Sequence, residues 1–545
     1  MQRFTVFVSE PRPMIDYRRP LIILLFFAFL SLPALSEDWF DNSDGLTDLA
    51  RFAPSDCTVF VAGDLSRTIS SEEIARLFKS IVAKVGGPRA VAEMEREIGD
   101  VDEVSQVFGT RMALAFRNLQ REKPDLIYAW EVKQPERAVQ VLKSTGLIPE
   151  RPTDKIVRAG DVSFEFIGPA GFGVYQDYLI ISTSPDLLKS TLDQGWSLSH
   201  NSTFQQRVKR LNVDQGLLVY AKPPADIPAA YAQLESLHYL LAGLDISDSG
   251  FLTQAYASLD KDGSLTRALL SEPGTLSGDA ARYIPKDWGF MASFHLGYVQ
   301  RFISQLQKDE PGLAAPLVEA REEFESQIGV ELGELLRVLE GEVSISSNGL
   351  RHAPLYYLGV DPTIDYKLTV TMPLKDPRAA QSLLKAAWSR LELDSEKLPD
   401  GAVLVSAAQL SYIVEQRLLI ISYGPNSLKT LRECLVLRKG ESLLSHPGVA
   451  GHYPLKSAVG SAYINLRPMI EELRHFDELG LVESLLFLDS DAIVEGTTEL
   501  TVRSDGLMLE GTGGMPLFAG TGAAGAYLLF GIAPNSEASE VEIER

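Results

Sequence analysis

The chain is poor in the residues that build metal centres and disulfide frameworks. It holds two cysteines and seven histidines in 545 residues. Two cysteines exclude a disulfide scaffold and any cysteine-rich metal site. Basic side chains are also in deficit, with 51 Lys+Arg against 73 Asp+Glu and a formal net charge of −22. That balance argues against a nucleic-acid partner, because attraction to phosphate needs clustered Lys and Arg. The sequence contains no Gly-x-Ser-x-Gly elbow, no His-Glu-x-x-His helix, no Cys-x-x-Cys pair and no Walker loop. No cofactor, metal or catalytic residue is therefore implied. Two near-motifs read as loops. Gly168-Pro-Ala-Gly171-Phe-Gly173 precedes a hairpin pattern rather than a helix, so it lacks a ring of amides for phosphate. Asp260-Lys-Asp262-Gly263 begins like a calcium loop but lacks the third acidic position and the closing Glu.

What is present is the composition of a folded protein, 45% hydrophobic and 23% charged. Arg3, Arg12, Arg18 and Arg19 precede an uncharged stretch, Leu21–Ser36, and Ala34-Leu35-Ser36 fits a small-residue cleavage pattern. Residues 1–36 read as a signal peptide cut before Glu37. The competing reading is an uncleaved anchor; against it, the 16 uncharged residues span only about 24 Å as a helix and contain Pro33. The expected address is therefore outside the cytoplasm, in a periplasm or cell envelope.

After a linker (37–49), the body repeats itself. Phe52-Ala-Pro54-Ser-Asp56 matches Tyr283-Ile-Pro285-Lys-Asp287, and Ile98-Gly99 matches Ile328-Gly329. Lys133-Gln-Pro135 matches Lys375-Asp-Pro377. Gln176-Asp-Tyr-Leu-Ile-Ile-Ser182 matches Gln416-Arg-Leu-Leu-Ile-Ile-Ser422. Lys189 matches Lys429, Leu198-Ser-His200 matches Leu444-Ser-His446, and Asp262-Gly263 matches Asp505-Gly506. One collinear order of weak matches predicts one module written twice, over 50–272 and 281–514. Ser70-Ser-Glu-Glu73 opens a helix as a capping box. Pro135 and Pro377 suit first helical turns. Gln176-Asp177 centres a hairpin, and glycine-containing hairpins are expected at Asp262-Gly263 and Asp505-Gly506. Neighbouring strands therefore pair. The predicted class is α+β, each copy a mainly antiparallel sheet with helices packed on one face.

The polar residues kept in both copies are few. Asp56/Asp287, Lys133/Lys375, Gln176/Gln416 and Lys189/Lys429 read as turn, cap or solvated positions, and Ser182/Ser422 closes the repeated Leu-Ile-Ile-Ser run. His200/His446 is the pair with chemical potential, since imidazole titrates near neutral pH. These two are the candidate ligand-binding residues. No second ligating group recurs beside both, and Ser199 and Ser445 are expected to cap the short helices that follow. Cys57 and Cys434 sit at non-equivalent places and read as two buried thiols, with a bridge between the copies left open. Residues 515–545 form a Gly/Ala-rich apolar tail. Its uncharged part, Met515–Pro534, is long enough to enter a bilayer and equally suits a final strand or a glycine-rich coil.

The Pro-x-Asp openings (Pro54, Asp56; Pro285, Asp287), the Gln134-Pro135 and Asp376-Pro377 helix starts and the Leu-Ile-Ile-Ser hairpins resemble an uncharacterised bacterial exported family, domain of unknown function 3352. The resemblance spans about residues 50–515. It implies a secreted or envelope protein of duplicated modules and carries over no catalytic residue. No lipobox cysteine follows the leader. The combined expectation is a non-enzymatic exported protein that binds a protein partner or an apolar ligand. The alternatives are an exported hydrolase using a single-copy site, with His295 or His352 near serines, and a membrane-tethered assembly protein.

Overall fold

The computed structural model describes residues 45–513 apart from 65–107, 118–124, 139–152, 212–215, 224–236, 349–366 and 468–494, and short breaks at 160–161, 168–169, 193–195, 248–249, 261–263, 310, 406–408, 425, 438–439 and 466. The leader, the Ser70–Glu73 box, Ile98-Gly99, His352 and the 515–534 segment lie outside the described residues.

The first half contributes β1 (Val59–Asp64), β2 (Phe108–Arg117), β3 (Asp125–Val132), β4 (Lys155–Ala159), β5 (Val162–Ile167), β6 (Ala170–Tyr175), β7 (Tyr178–Ser182), β8 (Gly216–Ala221), β9 (Leu237–Ser247) and β10 (Gly250–Leu259). Its described helices are α1 (Pro185–Leu192), α2 (Ser202–Val208) and α3 (Ser264–Leu269). The second half holds β11 (Thr275–Leu276), β12 (Phe290–His295), β13 (Glu342–Ser347), β14 (Leu368–Pro373), β15 (Glu396–Lys397), β16 (Val403–Val405), β17 (Leu410–Glu415), β18 (Leu418–Tyr423), β19 (Leu455–Lys456), β20 (Ala458–Asn465), β21 (Glu495–Arg503) and β22 (Gly506–Gly513). Its helices are α4 (Leu296–Asp309), α5 (Pro311–Ile328), α6 (Leu332–Val338), α7 (Pro377–Arg390) and α8 (Ser427–Leu435). The class is α+β.

Among the described residues twenty strands form one antiparallel sheet, with β11 and β19 as a separate pair. In the first half β1 pairs with β2 and β8; β2 leads through β3 to β7, β6, β5 and β4, and β8 leads through β9 to β10. In the second half β12 pairs with β13 and β20. From there β13 leads through β14 to β18, β17, β16 and β15, and β20 leads through β21 to β22. The order of pairing around β1 thus recurs around β12. β10 and β22 then pair with each other from Leu252↔Thr512 to Ser258↔Gly506, joining both halves in one sheet.

Several local expectations hold. Gln176 and Asp177 adopt φ of 47° and 59° at the β6–β7 turn, and Gln416 adopts 51° at the β17–β18 turn. Ser182 and Ser422 are fully buried and each donates its hydroxyl to a carbonyl of the neighbouring strand, Leu126 O and Leu368 O. Pro377 opens α7, with Asp376 Oδ1 accepting the amides of Arg378 and Ala379. Helix likewise begins at Pro135.

Three expectations are corrected. Helices cover both faces of the outer sheet, not one. Along β18, Leu419 packs with Met372, Ala380 and Val405 under α7, while Leu418 and Ile420 pack with Leu431 of α8 on the opposite side. Both faces are apolar there, so both need cover. Second, Asp505-Gly506 sits at the β21–β22 hairpin, but Asp262-Gly263, which lies outside the described residues, is followed from Ser264 by the helix α3 rather than by a strand. Third, Gly171 and Gly173 belong to strand β6. A Cβ at either position would run into the Phe166 or Phe164 ring from β5, so the glycines make room for those aromatics.

The main core lies on one face and crosses the seam between halves. Phe60, Tyr220, Leu241, Tyr256 and Met508 occupy successive strands β1, β8, β9, β10 and β22. A polar clasp closes that seam. Arg210, just beyond α2, donates to both oxygens of Asp505 at 3.0 and 2.7 Å. Tyr256 donates its hydroxyl to the same carboxylate, and the Arg210 guanidinium lies 4.7 Å from the Tyr256 ring centre. The Asp505 hydrogen bond holds the Arg210 guanidinium above its ordinary value, and burial raises the Tyr256 phenol. Glu499 and Glu510 face each other across β21 and β22 on this face, Glu510 taking the Gln254 amide at 2.8 Å. Burial, then the Glu510 charge, raises Glu499 above the usual carboxylate range.

Two outcomes follow at the seam. Asp505→Ala should lower stability by about 1–2 kcal/mol in urea unfolding, since it strips a bidentate, partly solvated partner from Arg210. Glu499→Gln should raise the melting temperature at pH 7. The raised carboxyl favours its protonated form in the folded state, so its contribution is lost as pH rises through that value and the variant's advantage shrinks as pH falls. Thermal melts across pH 4–8, roughly, check the sign.

Candidate functional site

Backbone hydrogen bonds fix how the two histidines relate. In the first half, Leu198 N donates to Ala53 O and Ser55 N to Trp196 O, both at 2.7 Å. In the second, Leu443 N donates to Ile284 O at 2.7 Å and Lys286 N to Glu441 O at 2.9 Å. Pro54 bridges Ser197 and Pro285 bridges Ser442. Leu198 therefore corresponds to Leu443, and the Leu-Ser-His match is one residue out of step. His200 ends the 3-10 turn Leu198–His200, whereas His446 follows the turn Leu443–Ser445. The residue equivalent to His446 is Asn201.

The chemistry of the two positions agrees with that register. Asn201 caps α2, its Oδ1 accepting the amides of Thr203 and Phe204 at 3.0 and 3.1 Å. His446 does similar work with Nδ1, which accepts the Gly448 amide at 3.2 Å. The caps are thus Asn201 and His446, not Ser199 and Ser445. Ser445 Oγ instead donates to Ser442 O at 2.6 Å. Because Nδ1 of His446 accepts, the proton sits on Nε2, which faces Glu495 Oε2 at 3.4 Å. His200 is exposed; its Nδ1 lies 2.8 Å from Ser197 Oγ, which is also 2.8 Å from Ser199 Oγ.

His446 opens onto a cleft of about 460 Å³ lined by Lys286, Asp287, Gly440, Ser445, Pro447, Asn465 and Arg467. Asn465, only 6% exposed, anchors the wall. Its Oδ1 accepts the Arg467 amide at 2.8 Å and its Nδ2 donates to Glu495 Oε1 at 3.2 Å. Tyr463 packs its ring 5.6 Å from the imidazole, and burial raises its phenol well above the ordinary value. Sequence reading found His446 and named Asp287 as a turn residue. It missed Lys286, Asn465, Arg467 and Glu495, which are brought together by pairing of β12, β20 and β21 and share no local pattern.

Of the two histidines suggested for a hydrolase, His295 stands elsewhere and His352 lies outside the described residues. His295 Nε2 is bonded to Thr275 O at 2.9 Å, so that nitrogen is committed to the backbone. A serine–histidine contact does occur at His452, whose Nε2 lies 3.3 Å from Ser461 Oγ. Tyr453 donates to the same hydroxyl at 3.2 Å, Ser461 is 6% exposed, and neither lines the cleft. Burial lowers the His452 imidazole below its ordinary value. Cys57 and Cys434 are free and buried in separate cores; burial pushes their thiols up to about 12 and about 11. Among the described residues no group of three or more His, Cys, Asp or Glu is placed to hold a metal ion.

A second feature is an apolar surface. Where the core face of the central strands is buried, the reverse face carries Val61, Val219, Ala242, Ala255, Leu509 and Leu500 in one cross-strand row. Leu240, Ala257, Leu507 and Val502 form the next row. All ten are half-buried rather than buried. Six strands place the first row over about 24 Å. A solvated sheet face normally alternates to polar residues, and this one does not.

Residues 110–350 match the family described as a protein of unknown function (DUF3352). That range runs from β2 of the first half to just past β13. Solved structures of TP0453 are also similar in part. Crystal form III is 8% identical, with a TM-score of 0.24 over 43% of this chain and 88% of that one. Crystal form I is 11% identical, with a TM-score of 0.23 over 41% and 82%. No curated protein matches the chain. Among the described residues no helix is long and apolar enough to cross a membrane.

The cap role of His446 has a measurable consequence. His446→Asn should leave the melting temperature close to wild type, because Asn fills the corresponding position in the first half. His446→Ala should cost about 1 kcal/mol, read by urea unfolding.

Proposed function

We propose that this is an exported, non-enzymatic binding protein of the cell envelope whose central sheet face holds an apolar partner. The observation that carries the reading is the half-exposed double row of aliphatic side chains running from Val61 to Leu500 across the seam. Burying such a face yields about 25 cal/mol for each Å² removed from water, so an uncovered one favours an apolar occupant. The export part rests on the leader alone. The reading also takes the chain as two copies of one module, over 50–272 and 281–514. It is supported by the pairing order shared around β1 and β12, by the matched proline corners and by the matched Ser182 and Ser422 hydrogen bonds. Fusing the copies at β10 and β22 is what makes the aliphatic rows continuous, since the first copy supplies four strands to the first row and the second copy two.

The test is native mass spectrometry and fluorescent-dye binding on the full chain. Wild-type protein should bind a hydrophobic dye such as bis-ANS or carry a co-purifying apolar ligand. Leu509→Glu and Ala255→Glu, each on the open face, should remove that binding while leaving far-ultraviolet circular dichroism unchanged. Dye binding equal to wild type in both variants would overturn the reading.

A further inference from the structure

We propose that the apolar segment Met515–Pro534 of this chain is the resident occupant of the aliphatic face, a cover that an outside apolar ligand must displace. The proposal rests on the preceding reading that this face takes apolar matter, and it names what lies there first. The half-buried rows are bounded at both ends. Beyond Val61 the first row passes through Leu114 of β2 to Tyr128 of β3, which is buried in its own cluster. Beyond Leu500 it passes through Gly460 of β20 and Phe294 of β12 to Val343 of β13, buried in another cluster. The half-buried span is therefore a gap of fixed length between two buried regions, about 24 Å across its six strands. Its occupant has to be apolar, because all ten side chains of the two rows are aliphatic and none carries a charge.

The chain itself brings such a segment to that place. β22 is the fifth of the six strands, and Gly513 ends it four residues beyond Leu509, about 14 Å along the strand. Gly513 has φ of 75°, and a Cβ there would run into the Glu495 carbonyl, so the strand ends on a left-handed residue that only glycine fits. Two residues later begins Met515–Pro534, 20 residues without a charge, carrying Leu517, Phe518, Leu528, Leu529, Phe530 and Ile532. Twenty residues reach about 30 Å even at the helical rise of about 1.5 Å per residue, so the segment is long enough to bridge a gap of about 24 Å. Being covalently attached, it meets the face at an effective concentration that a free ligand or a second copy has to exceed.

The experiment places the photo-crosslinker p-benzoylphenylalanine at Leu240 or at Val219 of the full chain, half-buried positions of the rows on β9 and β8. A thermal melt of each shows that it folds, and either position alone suffices. Irradiation and tryptic mass spectrometry should join the labelled peptide to the peptide that holds residues 515–534, in a product with the mobility of a monomer. In parallel, Leu528→Glu combined with Phe530→Glu should raise bis-ANS affinity about tenfold, since the face is then free in a larger fraction of molecules. Adding Leu509→Glu to that double variant should abolish the gain, which places the gain on this face. A cross-link to any other segment, a cross-linked dimer, or dye affinity unchanged by the Leu528 and Phe530 substitutions would each overturn the proposal. If Leu509→Glu still removes dye binding in that last case, the preceding reading stands without this occupant. Dye binding indifferent to Leu509→Glu would remove the reading and the proposal together. Vesicle recovery of wild type on phosphatidylcholine, lost in the Leu528 and Phe530 variant and accompanied by no internal cross-link, would assign the segment to a bilayer instead.

Discussion

The β10–β22 ladder is the constraint on which the rest of the architecture depends. It is the only strand pairing between the halves among the described residues, and it sets what each face of the centre can be. On one side it aligns Tyr256 with Met508, so the first core runs across it. On the other it aligns Ala255 with Leu509, so the aliphatic rows run across it too. Hydrogen bonds alone would leave such a ladder free to slip, and a slip of one residue would exchange its faces. The clasp of Arg210 and Tyr256 on Asp505 opposes that slip, because it is made by one residue at the hairpin end of β22 and cannot be remade one position along.

The outer parts of the sheet obey a different rule from the centre. At β18 and β7 both faces are covered, and the helices that cover them follow from the apolar content of those strands. At the centre, among the described residues, the core face alone is buried and the reverse face is half-buried. This difference separates the strands buried on both faces from those that carry the half-buried aliphatic rows. It also explains why the cleft at His446 lies where it does, at the ends of β12, β20 and β21, where the covered region gives way to loops.

Much of the scaffold was legible in local chemistry. The Gln176-Asp177 and Gln416 turns, the helix starts at Pro135 and Pro377, and the strands around Ser182 and Ser422 each need only a few consecutive residues. The two-sided cover was also written in the chain. Leu418-Leu-Ile-Ile421 does not alternate, and an unbroken apolar run is what a strand buried on both faces requires. The error at His200 and His446 has another cause. In a 3-10 turn a one-residue slip preserves the look of Leu-Ser-His while changing which side chain caps the next turn, and only the Leu198 and Leu443 amide bonds reveal the register. Lys286, Asn465 and Arg467 had no such signal, since Lys286 and Asn465 are 179 positions apart by number and meet through strand pairing alone.

The placement of β10 and β22 bears on how the molecule avoids polymerising. Each strand ends its own half and would, without the other, present a bare row of amides and carbonyls flanked by aliphatic side chains, a template for edge-to-edge association. Because the two strands belong to one polypeptide, each meets its partner at an effective concentration set by the chain between them rather than by the amount of protein in solution. Covalent continuity thus favours intramolecular closure over domain exchange. The remaining margins among the described strands, β4 with Lys155 and Arg158 and the two-residue β15 with Glu396 and Lys397, are short and charged, the properties that discourage a further strand from adding.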